Sequence, residues 1–175
     1  MDLTTKNNSD IQITPDSLRI LSERVGDGKW YEKQRENARN VFNKMPLPSL
    51  IDEPWRRTDI NNIDWKGYLK RYMDLASTEV ESVDVPKYLL SPLVGDSHGG
   101  QIVVSGGNVV SNSVSKEILE QGVIFSDFIS ASTDDSHTLN KYLGKLVNID
   151  DGKHAAMAAS CVDQGVFVYV PEGVS

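Results

Sequence analysis

Apolar positions change their spacing several times along the chain, and each change predicts an element. Leu18, Leu21 and Val25 recur at helical spacing behind Thr14-Pro15-Asp16. A hydroxyl at Thr14 can cap free amides, and proline in the first helical position forfeits no hydrogen bond. Gly26 offers a stop. A second helix is predicted over 29–45. Tyr31, Ala38, Val41, Phe42 and Met45 form its apolar stripe, the opposite face is charged, and Pro46 and Pro48 end it.

Periodicity is weakest over 46–100. Proline, asparagine and glycine punctuate this stretch between Trp55, Trp65, Tyr68 and Tyr72, which predicts short elements and long connections. "SPLVGDSHGG" reads as loop. The pattern sharpens at "QIVVSGGNVVS", where apolar runs flank Ser105-Gly106-Gly107-Asn108, a hairpin signal. "GVIFSDF" over 122–128 predicts another short strand. Leu139, Tyr142, Leu143, Leu146 and Val147 then fall at offsets 0, 3, 4, 7 and 8, the amphipathic-helix template. Alanine-rich "HAAMAASCVDQ" predicts a closely packed helix stopped by Gly165.

The last segment, "GVFVYVPEGVS", reads as a strand with Val166, Val168 and Val170 on one face and Phe167 and Tyr169 on the other. A strand apolar on both faces must be covered on both. The expectation is that further chain supplies part of that cover, and that these residues are the N-terminal part of a longer protein.

Composition narrows the class. The 175 residues are 39% apolar, enough for one ordinary domain or slightly more. A net charge of −7 argues against a field that attracts nucleic acid or anionic lipid. No apolar run approaches the roughly 18–20 residues that span a bilayer. The opening "MDLTTKNNSDIQITPDS" is polar through residue 13 and lacks the pattern of a signal peptide. Cys161 is the single cysteine, which suits a reducing compartment. The expected location is the cytoplasm, and Asn7-Asn8-Ser9 is then a chance sequon.

Candidate chemistry is sparse. Gly26-Asp27-Gly28-Lys29 lacks the strand, the glycine spacing and the following hydroxyl of a phosphate loop, and reads as an interhelix turn. Counting from Gly152, "NIDDGKH" lacks the alternating oxygen ligands and the glutamate of a calcium loop, so its aspartates read as helix caps. His154 and Cys161 share a helix face but stand about 10.5 Å apart along its axis, too far for a thiolate–imidazole pair. Cys161 therefore reads as a buried small thiol. The sequence pattern alone assigns His98 and His137 no chemistry. "DEPWRRTDI" is the densest polar cluster. Glu53, Trp55, Arg56, Arg57 and Asp59 form a possible partner-contact patch, whose arginines could hold a carboxylate in a fork. The plainer reading is local ion pairing, with Trp55 anchored in the core. No catalytic pair, metal cluster or cofactor fingerprint emerges, so a non-enzyme is expected.

"HAAMAASCVDQGVFVYVPEGV" resembles the junction segment of the SufB/SufD family of iron–sulfur cluster assembly proteins. There an alanine-containing helix leads into the first strand of a parallel β-helix. "LPSLIDEPWRRTD", the "QIVVSGGNVVS" hairpin, "GVIFSDFISA" and "YLGKLVN" follow the family's order. The likeness covers most of 30–175 and is nearest the N-terminal region of the SufD branch. It implies a subunit of the SufBCD scaffold complex, acting through protein contacts with a SufB-like subunit and a SufC-like ATPase. It also implies that the iron–sulfur cluster is handled by the full complex, with no cofactor held by this region. No ligand role carries over to Cys161, which stands where the family commonly has an apolar or aromatic residue.

The expected architecture is α+β: a polar tail (1–13), a helical, loop-rich region (14–100), a hairpin with helices (101–164), and the start of a truncated right-handed parallel β-helix (165–175). Two other classes remain open on residue chemistry alone. A stand-alone interaction module would be stable without further chain. A small hydrolase or transferase would show a deep pocket with convergent titratable groups.

Overall fold

The computed structural model describes residues 11–26, 28–76, 86–89, 91, 98–105 and 108–174. The sequon, most of the polar start, Asp27, most of "SPLVGDSHGG" and the Gly106-Gly107 turn lie outside the described residues. The elements run α1 (Pro15–Val25), α2 (Lys29–Lys44), α3 (Trp65–Ala76), β1 (Gly100–Ser105), β2 (Asn108–Val114), α4 (Lys116–Glu120), β3 (Ile124–Asp127), α5 (Phe128–Thr133), α6 (Ser136–Tyr142), α7 (Lys153–Cys161) and β4 (Val166–Tyr169). Single 3₁₀ turns fall at Glu53–Trp55, Lys87–Leu89 and Ile149–Asp151. Helices with two small antiparallel sheets make the class α+β. The chain divides into two compact units, one of Met1–Thr78 with Leu143–Val162, the other of Glu79–Tyr142 with Asp163–Ser175.

The first unit is helical. Thr14 Oγ1 accepts the Ser17 amide at 3.1 Å, and Gly26 closes α1 in the left-handed region at φ 70°. Leu18, Leu21 and Val25 are buried, each such side chain contributing about 1.5–3 kcal/mol. Ile11 and Ile13, at the end of the polar stretch, are buried too. Asn43 holds Ile13 from both sides, accepting its N–H and donating to its carbonyl, each at 3.0 Å. Among the apolar stripe of α2, Tyr31, Ala38 and Phe42 are buried; with them is Arg35, only 1% exposed.

Three expectations need correction here. A full helix, α3, stands inside the stretch expected to hold short elements. Asp64 Oδ1 accepts the Gly67 N–H at 3.0 Å, and a Cβ at Gly67 would strike that carboxylate. Next, the template through Val147 does not yield a helix of that length. Helix α6 ends at Tyr142, Gly144 turns left-handed at φ 72°, and Leu146 and Val147 are 95% and 65% exposed. Finally, α7 stops at Cys161, where Val162 turns to ψ 128°, and not at Gly165. Of the aspartates of "NIDDGKH", Asp151 caps, though it caps a 3₁₀ turn: its Oδ2 accepts the Asn148 N–H at 2.9 Å in a capping box over Ile149–Asp151, while α7, with Gly152 at its N-cap, has no side-chain cap.

The second unit holds two antiparallel strand pairs, the first between strands adjacent in sequence and the second between strands far apart in it. β1 and β2 pair from Gly100↔Val114 to Ser105↔Asn108, with a register shift between Val103 and Val104. β3 and β4 pair from Ile124↔Tyr169 to Asp127↔Val166. Phe128, expected to end the strand, instead opens α5, because Asp127 accepts both the Ser130 N–H and its hydroxyl, at 2.9 and 2.8 Å. β4 alternates as its sequence predicts: Phe167 and Tyr169 are half-buried, while Val166, Val168 and Val170 are 47%, 50% and 51% exposed. Among the described residues its outer edge pairs with no strand.

Candidate functional site

The first unit centres on two antiparallel helices that close each other's ends. Four carbonyls at a helix C-terminus have no partner within the helix. At the end of α7, Tyr31 of α2 donates to the Ala159 carbonyl at 3.4 Å, Arg35 to Ser160 at 2.9 Å, and Tyr72 of α3 to Cys161 at 2.6 Å. At the end of α2, Lys153, the first residue of α7, donates to the Phe42 and Met45 carbonyls at 2.9 and 2.7 Å. Both cations lie where the helix dipole favours positive charge. Both also lie over aromatic faces, Arg35 4.5 Å from the Tyr31 centroid and Lys153 4.3 Å from that of Phe42. Burial holds the Lys153 ammonium below its ordinary value. Sequence reasoning missed both residues, which it counted among the charges of an exposed face or passed over. The signal was available for Arg35, since positions 31, 35, 38 and 42 all lie on one helix face.

Beside Lys153, His154 lies against two indoles. Its ring is stacked on Trp55 (centroids 5.2 Å apart, planes at 28°) and tilted against Trp65 (5.0 Å, 54°). Burial, and then the charge of Lys153, hold its imidazole below the ordinary value. Trp65 itself donates to the Ile60 carbonyl at 3.2 Å. The histidine thus anchors the "DEPWRRTD" turn to α7 through its aromatic face.

That turn carries the predicted patch. Asp52 Oδ2 accepts the Ser49 N–H and hydroxyl at 2.8 and 3.1 Å, closing the Ser49–Asp52 turn that leads into the 3₁₀ turn Glu53–Trp55. Trp55 is half-buried; Glu53, Arg56, Arg57 and Asp59 are exposed. Glu53 pairs with Arg56 at 3.0 Å, and Asp59 accepts from the backbone and side chain of Asn61 at 3.0 and 2.9 Å. Among the described residues Arg57 has no carboxylate partner, and Ile51 nearby in sequence is 94% exposed. The five residues therefore stand on one local turn. Its acids are already engaged, leaving a guanidinium and apolar groups to meet a partner.

Cys161 is buried and reduced, 3.6 Å from Ser160 Oγ. Among the described residues no group of three or more His, Cys, Asp or Glu side chains could hold a metal ion, and no helix is long and apolar enough to cross a membrane.

Comparison with known proteins gives a consistent result. The family model described as the SufBD protein N-terminal region matches residues 24–175. The iron–sulfur cluster assembly protein SufD of Bacillus subtilis (strain 168) is 28% identical over 178 residues, covering 99% of this chain and 38% of that protein. An iron–sulfur cluster assembly SufBD family protein of Staphylococcus aureus (strain USA300) is 26% identical over 172 residues, covering 93% of this chain and 35% of its own. The chain thus spans little more than a third of the length of either relative.

Proposed function

The chain belongs to the family of SufBD protein N-terminal regions, and from that premise we propose that it forms the N-terminal part of a SufD-like subunit of a scaffold complex for iron–sulfur cluster assembly. It acts in the cytoplasm, without catalysis of its own, through contacts with a SufB-like subunit and a SufC-like ATPase. The cluster is cargo of the whole complex, not a resident of this region. The observation that carries the reading is the family match over residues 24–175 together with its order of elements, hairpin, short strand, alanine-rich helix and terminal strand. The half-exposed valine face of β4 supports the architectural part. It is the surface onto which a following β-helix would stack, burying apolar area worth roughly 25 cal/mol per Å².

The test is co-expression of the full-length protein with the SufB- and SufC-like subunits of the same organism, followed by affinity capture and size-exclusion chromatography. A stoichiometric complex is expected. Association with neither subunit would remove the reading.

A further inference from the structure

The first unit carries a second surface, away from the arginine turn in sequence, that cluster assembly does not account for. The extended residues 11–14, the first turn of α1 and one face of α3 enclose an open groove of about 420 Å³. Its floor is apolar: Ile11, Ile13 and Leu69 are buried and Met73 half-buried. Lys66 and Lys70 stand over it, one helical turn apart on α3, both exposed. The other polar groups of the lining are uncharged and occupied locally. Gln12 donates to the Asn43 carbonyl at 3.4 Å, and the Thr14 and Ser17 hydroxyls meet at 2.8 Å. Among the described residues no carboxylate lines the groove. Among the described residues neither lysine has an ion-pair partner. In a chain of net charge −7 this is a local reversal of sign over an apolar floor.

We propose that this groove docks an acidic segment of a partner protein, one that places apolar side chains on the Ile11–Leu69–Met73 floor and carboxylates on Lys66 and Lys70. The volume falls in the lower part of the roughly 300–1,000 Å³ of ligand clefts, room for a few side chains and not for a whole helix. Residues four apart on a helix surface place their Cβ atoms about 5–6 Å apart. The occupant therefore carries two acids within about one helical turn, or two residues apart on a strand, with an apolar residue between. Charge complementarity sets orientation and on-rate, and the apolar insertion sets residence time.

The inference is independent of the scaffold reading, and its test fails separately. The probe is a fluorescein-labelled peptide of repeated Glu-Leu-Glu-Glu-Leu, titrated against the full-length protein and followed by anisotropy at two salt concentrations. Binding that weakens with salt is expected, together with loss of binding when the peptide's leucines become serine or its glutamates become lysine. The double variant Lys66→Glu with Lys70→Glu lowers affinity by about tenfold or more, since each 1.4 kcal/mol is a factor of ten. Lys66→Gln with Lys70→Gln, a milder change at exposed positions, gives an intermediate loss and serves as the reference if charge reversal disturbs folding. Three results would overturn the proposal: no binding at millimolar protein, binding indifferent to both double variants, or binding that appears only after deletion of residues 2–10. The last would make the chain's own start the occupant.

Discussion

Arg35 on α2 donates to the Ser160 carbonyl at 2.9 Å from a position only 1% exposed. An arginine in the apolar stripe of a helix thereby becomes the closing group of another helix 125 positions further along. The interaction carries a charge on one side and orphan carbonyls on the other, so neither end tolerates removal of its partner.

Arg35→Ala is therefore expected to cost about 3 kcal/mol, combining a lost charged hydrogen bond with a cavity. Arg35→Lys should recover part of it, because a lysine keeps the charge but not the planar fork. Urea unfolding of the three proteins measures the series, and equal midpoints would contradict the capping account.

Tyr72→Phe removes one hydroxyl from the same helix end and is expected to cost about 1 kcal/mol. Cys161→Ala, at the residue whose carbonyl Tyr72 meets, should cost no more than about 1.5 kcal/mol and leave cluster-related activity unchanged. A large loss of activity without loss of stability would give the thiol a chemical role.

His154 predicts a pH dependence. Burial and Lys153 hold its folded value below the ordinary 6.5. The unfolded chain then binds a proton that the folded chain resists, and stability falls as pH drops through 6.5 toward the folded value. Below the folded value this contribution is flat. Thermal melts between pH 8 and 5 should show the decline, and His154→Gln should reduce it. An unchanged profile in the variant would assign the dependence to other groups.

Arg57→Glu tests the arginine turn. Its side chain is exposed, so stability should change by no more than about 0.5 kcal/mol, while capture of the SufB- or SufC-like subunit weakens. Full retention of both partners would return the turn to a purely local role.

Two stretches with the same apolar template show where the sequence was legible and where it was not. Leu139, Tyr142, Leu143, Leu146 and Val147 fit offsets 0, 3, 4, 7 and 8, yet the helix ends at Tyr142, because Gly144 adopts a left-handed conformation. Trp65, Tyr68, Leu69, Tyr72 and Met73 fit the same offsets and do form a helix. Glycine at 67 and the surrounding turn residues hid it, although Gly67 sits in the first turn, where its amide is capped by Asp64. Periodicity names a helix; the position of a glycine within it decides whether it survives. The Thr14 cap, the hairpin and the alternation of β4 were readable because each depends on neighbours in sequence. Lys153 and the His154 stack were not, since their partners lie more than a hundred positions upstream or in the weakly periodic stretch.

The division of the chain bears on its synthesis. The first unit is interrupted after Thr78 and resumes at Leu143, so α2 leaves the ribosome 111 positions ahead of the lysine that closes it. At roughly 5–20 residues per second, that is a wait on the order of ten seconds with the Phe42 and Met45 carbonyls at the end of α2 lacking their lysine donor. The α2–α7 pair can therefore close only after the whole intervening segment, 79–142, has been made.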